Sequence, residues 1–259
     1  MNEFKERFKK GIFFIPTLLT MGNILCGFFA IIASLNGNWL HAGIAIAIAF
    51  LLDGLDGRLA RLTDTESDFG LQLDSLADCV SFGVAPAALA YTNWLYVYER
   101  LGILLGFLFV CGAAMRLARF NAFDVEEDSM KYFNGLPTPA AAGVVVSLYF
   151  VEYKVFIQSE AGYGSVHNAF VLSIPIVLLL LSYLMLSNLR YPTFKNIAWE
   201  NIHPFGILFS LLFVVFICAL FPLGVYAFIF LGYLLTGFLN LGKALTEFLT
   251  EAIAEAGTD

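Results

Sequence analysis

Asp53, Asp56, Asp74 and Asp78 are the side chains most able to do chemistry, and they fall in two stretches, Asp53-Gly-Leu-Asp-Gly-Arg-Leu-Ala-Arg61 and Gly70-Leu-Gln-Leu-Asp-Ser-Leu-Ala-Asp78. At helical pitch, steps of three and four residues bring Asp53, Asp56, Gly57, Ala60 and Arg61 onto one face, and set Asp74 and Asp78 one turn apart. Residues 62 to 69 form a short link, so the two helices are antiparallel neighbours and their acidic ends meet. Four carboxylates gathered beside lipid repel one another and lose hydration, each at a cost on the order of 3 kcal/mol. A cation must compensate. With no His or Cys in the cluster, an all-oxygen donor set suits a hard divalent ion, Mg2+ or Mn2+, and four acids are enough for two ions.

Gly57 and Ala60 carry almost no side chain on the acidic face and leave a hollow in which something flat or bulky can lie. A metal site beside such a hollow fits a nucleotide, and the planar fork of Arg61 suits a phosphate there. The plainer alternative is that the small residues serve close helix packing and that the acids are hydrated helix-end charges. Asp64, Glu66 and Asp68 in the link are read in that plainer way. The two spaced aspartate faces favour function, because ionisable groups within a membrane span are functional by default.

The elements that position these residues follow from composition. Of 259 residues, 59% are hydrophobic and only 14% charged, more apolar surface than one soluble core can bury. The apolar runs are each near the roughly 20 residues that a helix needs to cross hydrocarbon. The fold class is therefore all-α, a polytopic transmembrane helical bundle. Eight spans are expected, at 17–35, 41–62, 70–92, 101–120, 137–153, 169–187, 205–221 and 223–241. Lys5, Arg7, Lys9, Lys10, Arg58, Arg61, Arg116, Arg119, Lys131, Arg190, Lys195 and Lys243 then lie on the side of the termini, and only Arg100 and Lys154 opposite. By the positive-inside rule, both termini and the acidic site face the cytoplasm from the cell membrane.

Residues 1–16 read as a basic amphipathic segment resting on the membrane surface, or as a frayed basic tail, and the first span as retained rather than cleaved. The least secure division is Phe221-Pro222-Leu223-Gly224, which makes either a tight hairpin or one kinked helix that reverses the C-terminus. Residues 242–259 form an acidic amphipathic tail with Glu247, Glu251 and Glu255 on one stripe. Net charge is −7 and no basic stripe is present, which argues against nucleic acid as a partner. Cys26, Cys79, Cys111 and Cys218 stand singly in apolar runs and read as small core residues.

At every fixed position the two acidic stretches resemble the signature of the CDP-alcohol phosphotransferase family: D-x-x-D-G-x-x-A-R, eight residues, G, three residues, D, three residues, D. The resemblance implies a six-helix catalytic core, here residues 17–187, with 188–241 a cytoplasmic link and two additional spans. It implies a CDP-linked lipid donor, transfer of its phosphatidyl group to an alcohol, and a homodimer. By the same resemblance Asp53, Asp56 and Asp74 hold metal, Asp78 completes the cage, acts as general base, or both, and Gly57, Ala60 and Arg61 line the CDP pocket. Asn23 either faces the nucleotide or is a buried packing group.

Further stretches are similar to the serine-accepting, phosphatidylserine synthase branch: Leu19–Gly27, Arg116-Leu-Ala-Arg-Phe-Asn121, Phe133-Asn-Gly-Leu-Pro-Thr-Pro139 and Ser187-Asn-Leu-Arg-Tyr-Pro192. L-serine brings a carboxylate, so its pocket needs a cation near the membrane surface. Arg116, Arg119 and, more weakly, Lys131 can supply it, against the alternative that they are ordinary anchors. Gly135-Leu-Pro-Thr-Pro139 has the form of a helix start, with free N–H groups able to receive an anion or serving only to begin the helix. Gly102 and Gly106 form a GxxxG that reads as close packing or a dimer contact. Glycerol phosphate and inositol phosphate are the other acceptors in the class, and both ask for more basic residues than converge here. A cation-coupled transporter is the alternative of another class, but the chain shows no repeat of the kind such folds carry.

Overall fold

Lipid offers the backbone no hydrogen-bond partners, so each long apolar run closes its bonds within itself and becomes a helix. The computed structural model describes residues 2–63, 65, 67–122, 132–158, 164–192, 224 and 226–236. Within them, α1 spans Asn2–Leu35, of which Pro16–Leu35 is long and apolar enough to cross a membrane. α2 is Trp39–Leu62, α3 Asp68–Asn93, α4 Leu95–Ala122, α5 Thr138–Ile157 and α6 Gly164–Leu186, and each of these also meets that criterion. A shorter apolar helix, α7, covers Tyr226–Thr236. The protein is an integral membrane helical bundle. The expected span at 205–221, the tail at 242–259, Asp64, Glu66, Lys131, Lys195, Lys243 and Cys218 lie outside the described residues.

Two features depart from the expected plain spans. A two-stranded antiparallel ribbon joins β1 (Tyr132–Asn134) to β2 (Arg190–Pro192), with Phe133 opposite Tyr191. It clips the segment before α5 to the segment after α6. Gly135 turns the chain there at φ +82°, and a Cβ at this position would meet the carbonyl oxygens of Met185 and Ser187 at 2.7 and 2.8 Å. Only glycine fits that combination. The second departure is in α3, where α-helix gives way to a π turn over Cys79–Val84, immediately after Asp78. The helix resumes at Ala85, with Pro86, which has no N–H to donate, in its first turn.

Small residues let the helices close up. Ala42, Ala45 and Ala49 of α2 and Ala140, Ala141 and Ala142 of α5 are buried, and a Cβ on Gly43 would come within 2.9 Å of the Phe150 ring. Gly102 packs against the backbone of Leu95, and Gly106 faces the carbonyl of Ala87 at 4.0 Å. Both glycines are buried inside the chain, so the GxxxG serves packing here and offers no dimer contact. α7 lies in a groove of the bundle. Phe230 sits on Gly143 and meets Phe50 edge-on at 5.0 Å, and Tyr226 meets Phe150 at 5.5 Å.

Candidate active site

The site forms where α2 ends and α3 begins. Ser67 caps α3 by accepting a bond from the Gly70 amide at 3.1 Å, which fixes the entry of the helix that carries Asp74 and Asp78. Asp68 follows in the first turn as an exposed helix-end charge, at the rim of the cleft. From α4, Asn121 donates to Ser75 Oγ at 2.9 Å and to Gln72 Oε1 at 3.5 Å, tying α3 to its neighbour beside Asp74.

One carboxylate oxygen from each of Asp53, Asp56 and Asp74 lies within 4.8 Å of the others. Asp56 is buried and its position is determined. Thr20 of α1 donates to Oδ2 at 2.9 Å while its own hydroxyl also reaches the Pro16 carbonyl, and the Gly57 amide donates to Oδ1 at 2.6 Å. Asp78 stands deeper, its carboxyl hydrogen-bonded to that of Asp53. Among the described residues, Asp74 Oδ1 and Asp78 Oδ1 are buried with no hydrogen-bond partner. Converging carboxylates, all-oxygen donors and two orphaned oxygens fit a bound divalent cation, since buried polar atoms otherwise find partners. Asp53, Asp56 and Asp74 would hold it.

A cleft of about 540 Å³ opens beside these acids. Asp56, Gly57, Ala60, Arg61 and Asp74 line it, together with Thr17 and Thr20 of α1 and Phe120 of α4. A Cβ at Gly57 would meet only the Arg61 guanidinium, at 3.8 Å, so no packing contact requires a glycine there. The side chain is missing where the cleft needs room. Arg61 is exposed and folds back, its Nε donating to the Gly57 carbonyl at 3.0 Å, which leads the guanidinium along the cleft wall.

The remaining expected residues are placed elsewhere. Asn23 is fully buried, does not line the cleft, and has both amide atoms without partners among the described residues; its carbonyl accepts from Ser81 in the π turn at 2.8 Å. Arg116 is buried between α4 and α5, donating from Nη1 to Thr138 Oγ1 at 3.1 Å, with Nε unpartnered and its charge bearing on Asp78. Arg119 is half-buried and donates to the Leu186 carbonyl at 3.3 Å and to Asn188 Oδ1 at 3.4 Å, an arrangement that caps the end of α6. Thr20, Phe120, Asn121 and Thr138 were not singled out from sequence. Thr20, Asn121 and Thr138 stood inside the quoted stretches, but hydroxyls and amides in a span carry no spacing signal.

An acidic cluster that could hold a metal ion thus stands at the meeting ends of two membrane helices and opens on a cleft lined in part by the small residues Gly57 and Ala60. The sequence model of the CDP-alcohol phosphatidyltransferase family matches residues 13–238, and the chain belongs to that family. It is 37% identical over 222 residues to the CDP-diacylglycerol--serine O-phosphatidyltransferase of Helicobacter pylori, covering 86% of this chain and 90% of that protein. The Bacillus subtilis protein of the same name is 37% identical over 190 residues, 73% of this chain and 96% of its own length. An archaetidylserine synthase of Methanothermobacter thermautotrophicus is 36% identical over 180 residues, 69% of each chain.

Proposed function

We propose that the protein transfers the phosphatidyl group of a CDP-linked lipid, CDP-diacylglycerol, to the hydroxyl of L-serine and releases CMP. The observation that carries the reading is the cluster of Asp53, Asp56, Asp74 and Asp78 against a cleft that Gly57 and Ala60 leave open. The names of the relatives supply the acceptor. Asp53, Asp56 and Asp74 would hold Mg2+ or Mn2+, two ions with the help of Asp78, and the metal would supply positive charge to offset that of the diphosphate and the departing CMP.

The chain's own residues do the rest. Gly57 and Ala60 admit the nucleotide, and Arg61 pairs with a phosphate. Asp78, whose charge bears on Arg116, takes the proton of the serine hydroxyl as the serine oxygen bonds to the phosphorus that bears the lipid. The bond from that phosphorus to the CMP oxygen breaks in the same displacement. Arg116, buried with a free Nε–H, is the favoured partner of the serine carboxylate. Arg119 and Lys131 are secondary. Arg58, Arg61, Arg116 and Arg119, on the helix ends beside the acids, support by the positive-inside rule a site that faces the cytoplasm from the cell membrane, with both termini on the same side. The chain works as a homodimer, with an interface away from Gly102 and Gly106.

The test is release of CMP from CDP-diacylglycerol by purified protein with Mg2+ or Mn2+. Release that depends on serine is expected. Release with glycerol phosphate or inositol phosphate but not with serine overturns the acceptor; no release with any acceptor overturns the chemistry.

A further inference from the structure

One polar cluster lies outside the cleft and reaches beyond the first six spans. Tyr191, carried inward by β2, is fully buried, and its hydroxyl has no partner among the described residues. Its ring stacks on Tyr233 of α7, with centroids 5.6 Å apart and planes 29° from parallel. Tyr233 in turn lies in the field of the Arg116 guanidinium, whose Nε is likewise buried with no partner among the described residues. Burial pushes the Tyr191 phenol up from its ordinary pKa, so it stays a neutral O–H donor. Two buried donors from α4 and β2 without partners among the described residues are costly unless an acceptor completes them, and a carboxylate suits the charged one of the pair, Arg116.

We propose that Tyr191, together with Arg116, holds the carboxylate of the acceptor amino acid, and that α7 builds this pocket by stacking Tyr233 on Tyr191. The inference rests on the serine reading above and extends it to an element outside the six-span core. α7 is anchored for the task. Phe230 on Gly143 and Tyr226 on Phe150 fix its depth along α5, and Tyr233 further along brings it to Tyr191 and Arg116.

The test compares full-length wild type with Tyr191→Phe, which keeps the ring, and Tyr233→Leu, which removes the stack. Serine is set against serinol, in which a hydroxymethyl group replaces the carboxylate. Tyr191→Phe should raise the serine KM on the order of ten-fold, leave the KM for CDP-diacylglycerol within about two-fold, and shrink the preference for serine over serinol by the same factor. Tyr233→Leu should shift both quantities in the same direction. An unchanged serine KM in Tyr191→Phe, or equal changes in both KM values, overturns the inference while wild-type serine turnover upholds the function. Absence of serine turnover in wild type overturns the acceptor assignment and this inference with it.

Discussion

Glu152 and Asp78 are both carboxylates buried in one bundle, at opposite ends, and their surroundings differ in kind. Glu152, near the end of α5, accepts from Trp94 Nε1 at 2.7 Å and Asn93 Nδ2 at 2.8 Å on one oxygen, and meets His167 Nε2 at 2.9 Å with the other. These donors come from α3, from the turn after it and from α6, so a single charge draws three helix ends together. At the other end, among the described residues, Asp56 alone of Asp53, Asp56, Asp74 and Asp78 is given donors from outside the cluster, and one oxygen each of Asp74 and Asp78 has no partner. A carboxylate with its donors supplied by the fold is a fastener. Carboxylates gathered without donors hold free energy in reserve for a ligand that the fold does not provide.

The contrast is open to attack at several points, beginning with the most severe. Asp78→Asn should lower turnover about a thousand-fold or more while calorimetric affinity for CDP stays close to wild type; turnover within ten-fold of wild type would remove Asp78 from the proton transfer. Gly57→Leu should fill the cleft and raise the KM for CDP-diacylglycerol by on the order of ten-fold, with the Tm unchanged because nothing packs at that position. A drop in Tm with an unchanged KM would instead make Gly57 a packing residue.

The two carboxylate groups should also respond in opposite senses to the same chemical change. Glu152→Gln weakens charge-assisted bonds to Trp94 and Asn93 and should cost about 1–3 kcal/mol, read as a lower Tm with both KM values preserved. Asp53→Asn, measured in chelator, relieves repulsion and should raise the Tm, while abolishing the stabilisation that Mg2+ confers on wild type. If both variants lose stability alike, the two ends do not differ in the way described. The smallest effect is expected for Thr20→Val, which frees one oxygen of Asp56 and should weaken metal-dependent activity by a few-fold, with partial recovery at higher Mg2+.

The acidic site was legible because its residues are close in sequence: Asp53, Asp56, Asp74 and Asp78 lie on two consecutive helices, and a charge in an apolar run stands out. The first six spans were legible for the same reason, and the all-α class holds apart from the three-residue strands of the ribbon. What depends on distant pairing was not. Thr20 reaches Asp56 across 36 positions, and nothing about a threonine in a first span marks it as a second-helix support. Glu152, Asn93, Trp94 and His167 converge from separate segments, and a lone histidine in a span carries no spacing signal. Gly102 and Gly106 showed the right spacing for close approach, but spacing does not say whether the neighbour belongs to the same chain.

The π turn after Asp78 has a consequence for how this protein can change over time. Such a turn amounts to one residue inserted into an α-helix, and each residue of an α-helix advances the phase by about 100°. On its near side α3 must aim Asp74 and Asp78 at the cluster, and on its far side it must bury Ala85, Ala87, Leu89 and Ala90 in the bundle. The extra residue sets these two angular requirements independently. Loss of one residue from 79–84 would return the segment to plain α-helix and remove that adjustment.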